Sequence, residues 1–325
     1  MGVVRFISNL ILAIILLALV LLVLFTAFSY AASQKAGTAG LDYEISEGTW
    51  LWIDGDPIYY QMLGDEQAPA VVLVHGADIE GSATWQANVA PLVKAGLRVI
   101  TVDLRGLGHS VRDDSPEAYT VRAQAALLAQ VLDELGVSGA TLVGHGWGNA
   151  VALQMAHDQP QFARQLVLIS PLLQDTPQPA WRHARHLPYA HQAAIWAMNP
   201  GGPLNRFVRR HAFYSKSAVD SEYLEAIRIP MQIEGSIAAL AAMTRAPADS
   251  DLPAIIPQTK LPTVILVGEA DPYISLEQAT DLAQRLPNAE LISIPKAGHY
   301  PQVEQSNVVN RQLIEIGLGA DQQGK

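Results

Sequence analysis

Residues Gly144-His145-Gly146-Trp147-Gly148 put glycine at three alternating positions between a short apolar strand, Thr141–His145, and a helix-forming run, Trp147–Ala156. A strand that ends in so tight a turn and restarts as a helix is the building step of an α/β sheet, and it is the setting in which G-x-S-x-G forms a nucleophile elbow. Here the centre of that pattern is Gly146, which has no side chain. Dinucleotide sites also set glycines between strand and helix, but they need G-x-G-x-x-G near the first strand and an acid about 20 residues on. Position 149 is asparagine, no carboxylate adjoins Gln165, and several strands come earlier, so that reading is set aside.

Further apolar runs end in polar turns. Val71–Val74 leads to His75-Gly76-Ala77 with Trp85 downstream, and Val99–Val102 leads to Asp103-Leu104-Arg105-Gly106-Leu107-Gly108-His109-Ser110. Thr263–Gly268 leads to Glu269-Ala270-Asp271-Pro272, and Leu291–Ile294 leads to Ala297-Gly298-His299-Tyr300-Pro301. With these motifs in this order the chain resembles the α/β-hydrolase superfamily, in the branch with an HG oxyanion turn and a D-x-R-G-x-G-x-S loop, over roughly residues 46 to 318. The resemblance implies an α/β-hydrolase fold: a mostly parallel eight-stranded sheet with helices on both faces and an inserted helical cap. It implies that His299 is the base, that Asp271 holds the imidazole in the right tautomer, and that the backbone N–H groups of Ala77 and Trp147 form an oxyanion hole. Gly146, at the nucleophile position, departs from the pattern and can carry no acyl or alkyl intermediate.

Each of these residues also has a structural reading. His75 and Gly76 can simply turn the chain, Asp103 and Arg105 read as a loop-bracing pair, and His299 with Asp271 reads equally as a hydrogen bond left from an ancestral site. Glycine relaxes a strained elbow, where strain costs on the order of 1–3 kcal/mol. Ser170, after the strand Leu166–Ile169, is an alternative nucleophile on the same carboxyl edge of the sheet, without an elbow to aim it. His299 could instead polarise a water in the space left at position 146, or take a proton from a substrate directly. One base change separates serine from glycine codons, so a recently inactivated copy is a further reading.

Length and composition fit one large α/β domain with an insertion. The chain has 325 residues and is 50% hydrophobic. Its formal charge of -10 argues against a nucleic-acid partner, whose phosphates demand a basic footprint. Cysteine is absent, which excludes disulfides, thiol catalysis and cysteine-held metal. No cofactor is expected.

The amino terminus reads as a membrane segment. No charge occurs from Phe6 to Gln34, and Leu10–Phe25 is unbroken apolar sequence, long enough with its flanks to cross a bilayer. Arg5 precedes this run while Asp42, Glu44 and Glu47 follow it, so the positive-inside rule sets the amino terminus in the cytoplasm and the domain outside. A cleaved signal peptide ending near Ser29-Tyr30-Ala31 is the rival, but the apolar run exceeds the usual 7–15 residues of such a segment. The organisation expected is an anchor over 1–32, a linker over 33–45, a core over 46–170 and 259–318, a cap over 171–258 and a tail over 319–325.

The core should open with a hairpin, Thr49–Ile53 and Ile58–Met62 about an Asp54-Gly55-Asp56-Pro57 turn, and include a helix over Val121–Leu135 begun at Thr120 and stopped at Gly136. Within the cap, Thr176 to Val219 holds no acid but carries Arg182, Arg185, Arg206, Arg209, Arg210 and Lys216, a basic patch for an anionic ligand or lipid head groups, or a solvated face paired elsewhere. His183, His186 and His191 lack nearby carboxylates, so no metal site is assigned. Two functions compete. One is hydrolysis of small ester or acyl substrates by the His299–Asp271 base without the usual nucleophile. The other is a pseudoenzyme that binds a hydrophobic or anionic small molecule, or a membrane partner.

Overall fold

The computed structural model describes residues 2–35, 48–173, 210–218, 223, 228–230 and 232–319. Eight strands form one sheet: β1 Thr49–Ile53, β2 Asp56–Leu63, β3 Ala70–Val74, β4 Arg98–Val102, β5 Ala140–His145, β6 Ala163–Ile169, β7 Thr263–Gly268 and β8 Ala289–Ile294, in the order β1-β2-β4-β3-β5-β6-β7-β8. The β1–β2 and β2–β4 pairs are antiparallel; every later pair is parallel. The hairpin turn is tighter than the sequence suggested. Asp54 and Gly55, with φ of 52° and 89°, make it alone, and Asp56 and Pro57 already belong to β2. Positive φ at both central residues matches the right-handed twist of the strands they join.

Unbroken apolar runs suit strands covered on both faces. On β3, Val72 and Val74 enter one core with Leu142, Leu168 and the helices α3, Val121–Glu134, and α4, Gly148–Asp158. Val71 and Leu73 point the other way, into a core with Trp85, Leu92 and Leu313, the last two on α2, Gln86–Lys94, and on a carboxyl-terminal helix, Ser306–Leu318. Helix α3 starts as its sequence suggests, with the Thr120 hydroxyl accepting from the Ala123 N–H at 3.1 Å, and ends one residue short of the expected Leu135. Sheet order reverses at β3, whose neighbours are β4 and β5. The carboxyl ends of β3 and β5, where His75-Gly76-Ala77 and His145-Gly146-Trp147 begin, therefore lie side by side, as ligand sites of such sheets require.

The loop after β4 is built around a buried carboxylate. Asp103 accepts backbone N–H bonds from Ser82 at 2.6 Å and His109 at 2.8 Å. Burial pushes its pKa up, but the His109 side chain first, then His75 and Ser82, outweigh this and hold it below the ordinary value. Asp103 and Arg105 do not pair with each other. Arg105 reaches out to Asp56 on the hairpin, so the two brace different sides of the loop. Arg112 ties this loop to the insertion between β6 and β7: its guanidinium donates to Gly108 O at 2.6 Å, Pro230 O at 3.0 Å and Ser236 Oγ at 2.9 Å. Burial lowers its pKa to about 10, which leaves it charged at neutral pH.

The helix α1, Gly2–Lys35, contains one stretch, Arg5–Ala27, of 23 residues that is long and apolar enough to cross a membrane, with none of it buried against the domain. Most of the expected cap lies outside the described residues, including Arg182, Arg185, Arg206, Arg209, His183, His186 and His191. Of the basic patch only Arg210 and Lys216 are described, and the Lys216 ammonium donates to Phe213 O at 2.9 Å within its own segment.

Candidate active site

At the end of β5 the chain turns through Gly146, with φ of 53°, and enters α4 two residues later. The turn is pinned by its own backbone. Gly146 N donates to Ile169 O at 3.0 Å, and Gly146 O accepts from Leu172 N at 3.0 Å. The buried Asn149 amide bridges the two strand ends, donating to Gly146 O and Ile169 O, both at 2.9 Å. The elbow geometry is therefore intact without an elbow side chain.

His299 stands over it. An ideal Cβ placed on Gly146 lies 3.4 Å from His299 Nε2 and 3.9 Å from Gly76 Cα, with no other contact within 4 Å. On the far side of the ring, Nδ1 lies 3.0 Å and 3.2 Å from the two oxygens of Asp271. A carboxylate only accepts, so Nδ1 carries the proton and the Nε2 lone pair faces the open point above Gly146. Asp271 itself is held by the N–H groups of Tyr273 at 2.8 Å and Ile274 at 3.2 Å. Burial raises its pKa, but the His299 hydrogen bond and charge, with the Tyr273 N–H, more than compensate and keep it below the ordinary value. Tyr273 and Tyr300 present their ring edges to His299, with centroids 4.9 Å and 5.5 Å away.

His145, between the glycines, supports the base from behind. Its Nε2–H donates to His299 O at 2.8 Å, and burial, helped by His299, depresses its pKa to about 3. It stays neutral, so this bond persists over the physiological pH range. His75 serves the neighbouring turn: Leu104 N donates to its Nε2 at 2.9 Å, so its Nδ1–H donates to Gly76 O at 2.6 Å. The turn and the elbow meet at Gly76. Among the described residues the backbone N–H groups of Ala77 and Trp147 find no acceptor, which leaves both donors for a bound oxygen.

Ser170 is placed differently from the other candidate residues. It is fully buried, has φ of 46°, and has no atom within 4 Å of the Cβ point at Gly146. Its hydroxyl lies beside Asp271 and helps to lower that pKa without a hydrogen bond of ordinary geometry. A buried hydroxyl on the acid's side supports the carboxylate and cannot meet a substrate from there. No group of three or more metal-ligating side chains occurs among the described residues.

Sequence reasoning passed over Asn149, His145 and Glu304, which act through hydrogen bonds to backbone. The signal for Glu304 was an acid in the turn just after His299-Tyr300-Pro301.

A family model described as the alpha/beta hydrolase family matches residues 71–312. A 2-hydroxy-6-oxo-2,4-heptadienoate hydrolase of Pseudomonas putida is 30% identical over 254 residues, 76% of this chain and 86% of that protein. A putative carbamate hydrolase of Variovorax paradoxus is 27% identical, covering 80% of this chain and 96% of that protein. Among solved structures, a thermophilic esterase from Thermogutta terrifontis superposes with a TM-score of 0.64 at 26% identity, over 83% of this chain and 97% of that one.

Proposed function

This chain belongs to the alpha/beta hydrolase family, and from that premise we propose that it hydrolyses small ester or acyl substrates with water as the direct nucleophile and His299 as general base. The observation that carries this reading is the His299 Nε2 lone pair, 3.4 Å from a Cβ point at Gly146 that no side chain fills. A water there would give a proton to Nε2 as its oxygen bonds to the acyl carbon. The carbonyl π electrons move to oxygen, and that oxyanion would sit against the Ala77 and Trp147 N–H groups. Collapse re-forms the carbonyl, breaks the bond to the leaving group, and returns the proton from His299 to it. Asp271 stabilises the transient imidazolium throughout. Relatives named for dienoate and carbamate hydrolysis support the small acyl class.

The insertion over 171–258 serves, in this reading, as the cap over the cleft. The apolar stretch Arg5–Ala27 anchors the protein with its domain on the outer side, as the charges at Arg5 and at Asp42, Glu44 and Glu47 favour. A small ester or acyl compound turned over by the purified chain should lose about 100-fold in rate on His299→Ala, the scale of a positioned base. If a panel of such compounds shows no His299-dependent turnover in folded protein, the cleft is a binding site and the chain a pseudoenzyme. For the anchor, membranes washed with high salt should retain the protein with its amino terminus intact. A soluble product beginning near Ala32 would show signal cleavage instead.

A further inference from the structure

The described part of the insertion meets the loop of His299 at a strap, residues 210–218. His299 N donates to Ala212 O at 2.7 Å. Phe213, buried, stacks on Tyr300 with centroids 4.7 Å apart and planes 5° from parallel. A short helix, Pro301–Glu304, then brings one half-buried carboxylate between the two segments. One oxygen of Glu304 accepts from the Ser215 N–H at 2.7 Å and the other accepts from the Gly298 N–H at 2.6 Å. Backbone N–H groups bound to a carboxylate belong to the stronger class of hydrogen bond.

These contacts divide the labour around the imidazole. Asp271 is fixed by its own loop, through Tyr273 and Ile274. The backbone of His299 has two ties: its carbonyl to His145 and its N–H to the strap. Glu304 joins the residue before His299 to the same strap. We propose that Glu304 is a positioning residue that couples the strap to His299, so that the imidazole keeps its place between Asp271 and the Gly146 elbow only while the strap is docked. The proposal rests on the reading of His299 as the base. Its consequence is that a ligand which moves the insertion also moves the base, and the cleft assembles on loading.

The test reads the imidazole itself and needs no turnover, so it stands even if hydrolysis is disproved. In full-length protein with 15N-labelled histidine, the His299 Nδ1–H signal, assigned by its loss in His299→Gln, should exchange slowly with water. Glu304→Gln keeps the side-chain size but sets an NH2 against one of the two donors. Exchange should become at least about tenfold faster, the scale of one lost charge-assisted hydrogen bond. Phe213→Ala, which unseats the strap and leaves Glu304 in place, should do the same. Unchanged exchange in folded Glu304→Gln overturns the positioning role; faster exchange in Glu304→Gln but not in Phe213→Ala overturns the coupling to the strap. Should Glu304→Gln fail to fold, Ser215→Pro deletes only the strap's donor to Glu304 and carries the same expectation and the same refutation.

Discussion

Gly146→Ser should raise hydrolysis of short activated esters at least about 100-fold over a wild type that stays barely above background. A Cβ at this position lies at ordinary contact distance, 3.4 Å, from His299 Nε2, so a hydroxyl one bond further out can turn into hydrogen-bond reach of the base. The orienting acid stands 3.0 Å behind the ring and two free amides adjoin the elbow, so the substitution adds one atom group to a prepared setting. Its cost is conformational. With φ at 53°, any L side chain here is strained, by about 1–3 kcal/mol, so the variant should melt lower while reacting faster. Gly146→Ala should melt as low and gain nothing. Gly146→Ser/His299→Ala should lose the gain, and only the single serine variant should show a burst of product as an acyl-enzyme fills. A folded Gly146→Ser protein with no gain would mean that the cleft has drifted into a binding role.

Gly108→Ala should destabilise the domain by more than about 4 kcal/mol, measured by urea unfolding with the protein held in detergent. Two effects combine. Gly108 has φ of 51°, and a Cβ there would overlap the Asp103 carboxylate, both oxygens and the carbon between them. Asp103 has nowhere to go, because it is fully buried and accepts the Ser82 and His109 N–H groups. Displacing it leaves a buried charge and two unsatisfied donors, the most expensive kind of local damage. Gly96→Ala is the comparison: φ of 90° with nothing within 4 Å of its Cβ point isolates the backbone penalty, about 1–2 kcal/mol. Equal losses in the two variants would refute the account of the Asp103 loop.

The sheet was legible in the sequence because burial on both faces writes each strand as a continuous apolar run, as in Val71–Val74, and because Asp54-Gly55 spells its own turn. His299 and Asp271 were legible through motif order alone, since nothing local links positions 28 residues apart. What the sequence hid is contact between a side chain and distant backbone. Asn149 pins the elbow to Ile169, His145 holds the carbonyl of His299, and Arg112 gathers carbonyls from its own loop and from Pro230. Backbone partners leave no residue type to read. The same limit explains Ser170, whose position on the carboxyl edge was visible while its orientation towards Asp271 was not.

The bare elbow also decides how such a protein can be found. Reagents that tag serine hydrolases in cell extracts, fluorophosphonates and sulfonyl fluorides among them, work by losing fluoride to an elbow hydroxyl and leaving their phosphorus or sulfur attached. At Gly146 the chain offers only hydrogen on carbon, with the nearby hydroxyl of Ser170 buried. The reagent can occupy the cleft, meet the base and the two amides, and depart unchanged. A proteome surveyed by covalent labelling would pass over this chain, and competition for its cleft has to be followed by reversible binding.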